Sequence, residues 1–315
     1  MQTPWWRNRR LLPLLVQAAV GLMVLVTIAF LLGNLVRNLS AAGLLLSWRW
    51  LNLPAGFDIS ETLLPFNAEL PYWRALLAGL VNTVRVVLIG LVGATLLGTL
   101  AGTAAFSSNG LLRRLSRTYV ELVRNVPLLL QLLFWYFVVF LSLPNGPAAI
   151  QLPWVVLAKS GLYLGSTQLI DGVWQGSLRI TLEFAALLTG LIIHSGAFIA
   201  EVVRGGVTAV PAGQWEAARS LGLSAGQTLS RVVLPQALRV IVPALNSQYI
   251  SLAKNSSLAV ACGYSDLYSV AETTLNQTGR AVEVVLILLG TYLAMDLVIS
   301  LLMNRLNQLV QIQER

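Results

Sequence analysis

Long apolar runs alternate with short polar connections along the 315 residues of this chain. A helix needs roughly 20 apolar residues to cross the hydrocarbon core of a bilayer, and six runs reach that length. They extend from Leu11 to Val36, Leu80 to Phe106, Tyr119 to Leu143, Leu178 to Val203, Leu238 to Cys262 and Val282 to Asn304. The fifth is the most interrupted, by Pro243, Asn246, Gln248, Lys254 and Asn255. In the second, Gly90, Ala94, Gly98 and Gly102 recur every fourth residue, a stripe of small side chains that lets helix backbones pack closely in lipid. The pattern predicts an all-α integral membrane protein of about six transmembrane helices.

One polar island stands out between the fourth and fifth runs, from Pro211 to Pro235. Pro211 suits the first turn of a helix, and Gln214 to Leu221 are good helix formers. Gly222 ends that helix. Ser224 then offers an N-cap oxygen, with Gln227 three residues on to complete a capping box, and a second helix is expected to run to Leu234 before Pro235 opens the next segment. Glu216, Ala217 and Ala218 give the first short helix one acidic handle and a smooth face that another protein's surface can approach.

Composition narrows the class. Apolar residues make up 56% of the chain and charged residues 11%, less than half of what soluble domains carry. The net charge of +8 is not a nucleic-acid patch: all but Lys159 and Lys254 of the 21 basic residues are arginines scattered near the ends of apolar runs. Arg7, Arg9 and Arg10 precede the first run, Arg113, Arg114 and Arg117 follow the second, Arg204, Arg219, Arg231 and Arg239 flank the polar island, and Arg305 and Arg315 follow the sixth. With six crossings these groups share one side, the cytoplasm, which places both termini and the island there. The first run is too long for a signal peptide and reads as an uncleaved span. The outer connections, Arg37 to Trp73 and Pro144 to Gly176, are long enough to form a surface. Cys262 is the only cysteine, lies in an apolar stretch and reads as packing.

Glu216-Ala217-Ala218, with Gly222 after three residues and Leu234-Pro235 further on, resembles the EAA loop of the membrane subunits of bacterial ATP-binding-cassette importers. Within these the chain is most similar to permeases for polar and general L-amino acids. The similarity includes Ala55-Gly56-Phe57-Asp58-Ile59, Asn82-Thr83, Arg124-Asn125-Val126-Pro127 through Gln131, Gly196 to Glu201 with Arg204-Gly205-Gly206, and Lys254-Asn255-Ser256-Ser257-Leu258. The resemblance implies a type I importer fold: residues 1-78 would hold a stub, an extra first helix and an outer loop, 79-304 a five-helix core with the EAA loop at 204-236, and 305-315 a tail. It implies separate ATPase subunits that bind ATP and Mg, a second permease subunit, a periplasmic amino-acid-binding protein and a place in the bacterial inner membrane. Gln214, Glu216, Ala217, Ala218, Leu221 and Gly222 would couple the chain to the ATPase.

Polar groups at membrane depth are costly and need partners or water. Gln131, Glu201, Asn246, Lys254, Asn255, Ser256 and Ser257 are the candidates for a substrate path, with Lys254 suited to a carboxylate and Glu201 to an ammonium. Glu121 with Arg124, and Glu201 with Arg204, sit three apart and are equally suited to pairing locally. His194, the only histidine, reads as a packing hydrogen bond, since no cluster exists to complete a metal site. Asp296 is left open between pairing with a partner's cation and lining the path. No phosphate loop is present, so no cofactor is expected on this chain and it is not expected to be an enzyme. The rival reading is a self-sufficient transporter or channel driven by an ion gradient through Glu201, Lys254 and Asp296.

Overall fold

The structure is a computed structural model that describes residues 11–311 apart from 42, 44 and 45, with side chains from Leu14 onward. Arg7, Arg9, Arg10 and Arg315 lie outside the described residues. The chain divides into two compact units at Trp50. The first contains α1 (Leu11–Ala41), apolar and exposed along nearly its whole length. Its polar groups fold back on its own backbone: Thr27 Oγ1 donates to Met23 O at 2.8 Å and Arg37 Nε to Gly33 O at 3.2 Å.

The second unit starts at Leu51, not at the expected 79, because the outer loop is tied to the core. Ala55 and Gly56 donate to Leu70 O and Ala68 O at 2.8 and 2.9 Å, closing the loop on itself. Glu61 then anchors it, accepting from Arg85 Nη1 at 2.6 Å and from the Thr181 hydroxyl. Asn82 Nδ2 donates both to Glu61 O and to Ser265 O.

Two long helices, α2 (Tyr72–Ala104) and α5 (Leu182–Thr208), pack along the glycine stripe. A Cβ on Gly98 would lie 2.6 Å from Ile199 Cβ and 2.7 Å from Gly196 O, and one on Gly102 would meet Ala200 O at 2.7 Å. The stripe is therefore structural, since only a glycine lets these backbones come so close. Val87, Ala94, Ile199, Val203, Ala237 and Ile241 extend this contact into the buried core.

The third expected span is not one helix. Gly110–Arg124 forms α3, Leu128–Leu133 forms α4, which continues as a π-helical turn through Phe140, and the two are bent by 105°. Pro127 explains the break: it has no N–H to give and disfavours helical geometry at Val126. Gln131 Nε2 lies 2.9 Å from both Val123 O and Val126 O and satisfies the carbonyls that the break frees. Among the described residues there are thus five helices long and apolar enough to span, and six spans if the bent pair counts as one.

The connection expected to be a loop from Pro144 to Gly176, together with the expected start of the fourth span, folds as a small sheet. It comprises β1 (Ile150–Leu152), β2 (Val155–Ala158), β3 (Gly161–Ile170) and β4 (Val173–Ile180), antiparallel and in sequence order. Each pair is joined by two residues, and at the last turn Asp171 and Gly172 both have positive φ, 51° and 77°. That geometry matches the twist of a hairpin. One face buries Val156, Ala158, Tyr163 and Trp174, whose Nε1 donates to Gly146 O at 2.8 Å. The mostly helical class holds, with this sheet added. Thr181 then caps α5, so the helix starts at Leu182 and not at Leu178.

Beyond α5 come α6 (Ala212–Ser220), α7 (Ala225–Gln227), a π-helical turn over Thr228–Val233, and α8 (Leu234–Asn255), which tightens into a 3-10 segment over Ser256–Cys262. The helix does not stop at Leu234 as expected; it runs through Pro235, because the π-helical turn has already shifted the hydrogen-bond register there. A short α9 (Leu267–Thr278), capped by Asp266 Oδ1 on Ser269 N at 2.9 Å, precedes α10 (Ala281–Val310). Cys262 is buried with its Sγ 3.9 Å from Leu132 O, in a packing position.

Candidate functional site

At the end of α5 opposite the sheet, Pro211 precedes α6 and Gly222 terminates it at φ +79°. Gly222 N donates to Arg219 O at 2.9 Å and Leu223 N to Ala218 O at 3.2 Å, the paired bonds of a Schellman ending. The Ser224–Gln227 capping box is present, with Ser224 N donating to Gln227 Oε1 at 3.0 Å. These local signals place a short helix firmly between α5 and α8.

The helix has two faces. Gln214, Glu216, Ala217, Leu221 and Gly222 are exposed, Leu221 at 82%. Ala218 is buried and Trp215 half-buried. The smooth face expected from Ala217 and Ala218 together is thus split: Ala217 looks outward, whereas Ala218 packs into its own subunit and offers nothing to a partner. Gln214 Oε1 accepts from Gln236 Nε2 at 3.2 Å, tying α6 to the start of α8.

Above this helix lies a cavity of about 670 Å³ whose charged lining comes from α3 and α5: Arg117, Glu121, Arg124, Glu201 and Arg204. Glu201 accepts from Arg204 through both its oxygens and lies 3.9 Å from Arg124 Nη1. The pairing of Glu201 with Arg204 follows the i,i+3 spacing. Glu121 does not pair with Arg124, which turns across to Glu201 and lies 5.1 Å from the Phe198 ring centroid.

Phe198 also borders a smaller cavity of about 280 Å³ between α5 and α8, lined by His194, Ser195, Ser247, Gln248, Ser251 and Asn255. Here the polar positions of α8 recur one turn apart at 247, 251 and 255, so they share a face. Ser247 and Ser251 were missed by the sequence reading, although that spacing was available to find them. His194 Nδ1 lies 3.1 Å from Gln131 Nε2 and its ring packs on Phe198, in line with the packing role expected of it.

The expected path residues do not form a single site. Glu201 lines the larger cavity and Asn255 the smaller. Gln131 is buried as the brace of the α3–α4 bend. Ser256 and Ser257 return their hydroxyls to Ala253 O and Lys254 O. Asn246 keeps a buried Oδ1 with no hydrogen-bond partner among the described residues. Lys254 pairs with Asp296 of the same chain at 3.2 Å.

Membrane-length helices with polar cavities and an exposed short helix, closed at its C-terminal end by Gly222, define a membrane transport subunit. Comparison with known proteins gives the family. Residues 94–312 match the family model described as the binding-protein-dependent transport system inner membrane component, and the chain belongs to that family. It is 37% identical to the putative amino-acid ABC transporter permease protein YhdX of Escherichia coli (strain K12), over 96% of this chain and 93% of that protein. It is 34% identical to the general L-amino acid transport system permease protein AapQ of Rhizobium johnstonii, over 90% and 87%. A crystal structure of an amino acid ABC transporter with histidines superposes with a TM-score of 0.58 at 27% identity, over 75% of this chain and 94% of that one. The inward-facing MetNI methionine ABC transporter, at 19% identity and a TM-score of 0.55, shares the fold.

Proposed function

We propose that the chain is the permease subunit of an ATP-driven importer for polar L-amino acids in the bacterial inner membrane, with both termini cytoplasmic. The exposed face of α6, with Glu216 and Ala217 on the helix and Leu221 at its C-cap, carries this reading: a short helix bounded by Pro211 and Gly222 and turned outward is a docking element. A separate ATPase subunit binds ATP and Mg and receives this face. A second permease, more readily a related chain than a copy, completes the translocation path. A periplasmic binding protein delivers the amino acid to the outer end, where the sheet and the 51–71 loop lie.

Closure of two ATPases on ATP draws the α6 helices together and rotates the spans to open the path outward, and hydrolysis resets it. Glu201 and Asn255 lie on the cavities such a path would use, whereas Gln131, Asn246, Lys254, Ser256 and Ser257 are not part of their lining. The chain itself carries no cofactor.

Copurification of the tagged chain from its native membrane, with mass spectrometry of what remains bound, tests this reading. Recovery of an ATPase subunit that is lost in Glu216→Lys supports it. Recovery of the chain alone, active in proteoliposomes under an ion gradient, overturns it in favour of a self-sufficient transporter.

A further inference from the structure

We propose that Trp215 and Phe106 form the mechanical relay between the docking helix and the larger cavity, an inference that rests on the importer reading. The Trp215 ring, on the inward face of α6, packs on Phe106 with centroids 6.3 Å apart and planes tilted by 31°. Phe106 lies one residue beyond the C-cap Ala105 of α2, and its N–H donates to Thr103 O at 3.0 Å, so it moves with the end of that helix. The same ring lines the 670 Å³ cavity beside Gly102, Ala105, Arg117 and Arg124. One side chain therefore touches both the helix that meets the partner and the wall of the cavity.

The mechanics follow from rigidity. An aromatic ring has two side-chain torsions and, when packed on another ring, transmits a push without absorbing it in rotamer changes. α6 is also joined to the start of α8, by packing on the π-helical turn that leads into it and through the Gln214–Gln236 hydrogen bond at 3.2 Å between an exposed and a half-buried side chain. Displacement of α6 thus pivots about α8 and is delivered to α2 through Phe106. The glycine stripe then carries it onward, because Gly98 and Gly102 hold α2 against Ile199 and Ala200 of α5 with no slack. Trp215 and Phe106 are positioning residues, and neither is assigned contact with ATP.

The experiment uses the whole complex, with its copurifying ATPase, in proteoliposomes supplied with binding protein and amino acid. Trp215→Leu keeps apolar volume but loses the flat ring. It is expected to retain the ATPase subunit while the ratio of stimulated to basal ATP hydrolysis, and uptake with it, falls by about tenfold, which is about 1.4 kcal/mol of lost coupling. Trp215→Phe restores both. Phe106→Leu behaves like Trp215→Leu, and the double variant is no worse than either single, as expected of two residues acting through one contact. Normal stimulation in Trp215→Leu, or additive losses in the double variant, overturns the relay. Loss of the ATPase subunit from Trp215→Leu also overturns it, by assigning Trp215 to docking. If any single variant does not assemble, the exchange of Phe106→Trp with Trp215→Phe keeps both rings and must couple normally; an assembled but uncoupled exchange variant counts against the relay. Absence of an ATPase from the wild-type preparation would instead refute the importer reading.

Discussion

Lys254 Nζ lies 3.2 Å from Asp296 Oδ2, joining α8 to α10, and the two side chains are unequally exposed, at 60% and 16%. The asymmetry sets which loss matters. Lys254→Met strands a largely buried carboxylate whose Oδ1 already has no hydrogen-bond partner among the described residues, at a cost of about 3 kcal/mol. Asp296→Asn leaves an exposed ammonium that can find other partners, at a cost of about 1 kcal/mol. Thermal unfolding in detergent should rank the variants in that order, with the double variant more stable than Lys254→Met alone. Equal losses from the two single variants would show that the pair is not the governing contact.

Glycines in the same bundle should differ sharply in tolerance. At Gly98 a side chain meets backbone and Cβ atoms of α5 within 2.7 Å, and these cannot rotate away. At Gly205, on the same helix pair's other member, an added Cβ meets nothing within 4 Å. Gly98→Val is expected to destabilise by at least about 2 kcal/mol and to lower the yield of monodisperse protein. Gly205→Ala should be neutral or slightly stabilising, since it exchanges helix-interior glycine for the best helix former. Size-exclusion profiles with thermal melts compare the two directly.

Gly222 poses a different constraint. Nothing lies within 4 Å of its missing Cβ, so its requirement is conformational: φ of +79° costs a β-branched residue about 1–2 kcal/mol. Gly222→Val should unwind the end of α6 and lose uptake while the protein still reaches the membrane. Gly222→Asn, which tolerates the left-handed region, should retain a large part of the activity. A fully active valine variant would show that the helix end does not matter to coupling.

Local chemistry explains what was legible in the sequence. The caps of α6 and α7 depend on residues within five positions of each other, so Gly222, Ser224 and Gln227 announce them without any tertiary context. The glycine stripe of α2 was equally readable, because its period is that of one helix. Apolar counting failed where the backbone changes type within an apolar run. It carried the third span straight through Pro127, and it drew the end of β4, residues 178–180, into the fourth span although Asp171-Gly172 between apolar residues is a strong hairpin signal. Contacts between distant positions had no local signature. Lys254 with Asp296, Arg124 with Glu201 and the inward turn of Ala218 each depend on how the helices pack, which residue spacing along one helix does not determine.

Asp266 offers a test through pH. It sits between the last two spans with its Oδ1 capping α9 and its Oδ2 buried without a hydrogen-bond partner among the described residues. Burial pushes its carboxyl up to about 7, against the opposing pull of the backbone amides of Ser269 and Tyr268. The titratable groups facing it are the Tyr292 hydroxyl of α10, which favours the charged carboxylate, and Tyr264, raised by the same burial, with the Glu61–Arg85 pair beside Tyr264. An unfolded aspartate titrates near about 3.9, so between that value and about 7 the folded state holds the extra proton. Stability from this group is therefore greatest at low pH and declines as pH rises through that window, levelling above about 7. The unfolding midpoint of the wild-type protein should fall by about 5 °C from about pH 5 to about pH 8. Asp266→Asn keeps the cap, because asparagine serves as well as aspartate at that position, but removes the titration. Its midpoint should be nearly flat over the same range, and a wild-type slope retained in the variant would assign the pH dependence to Glu61 or another carboxylate.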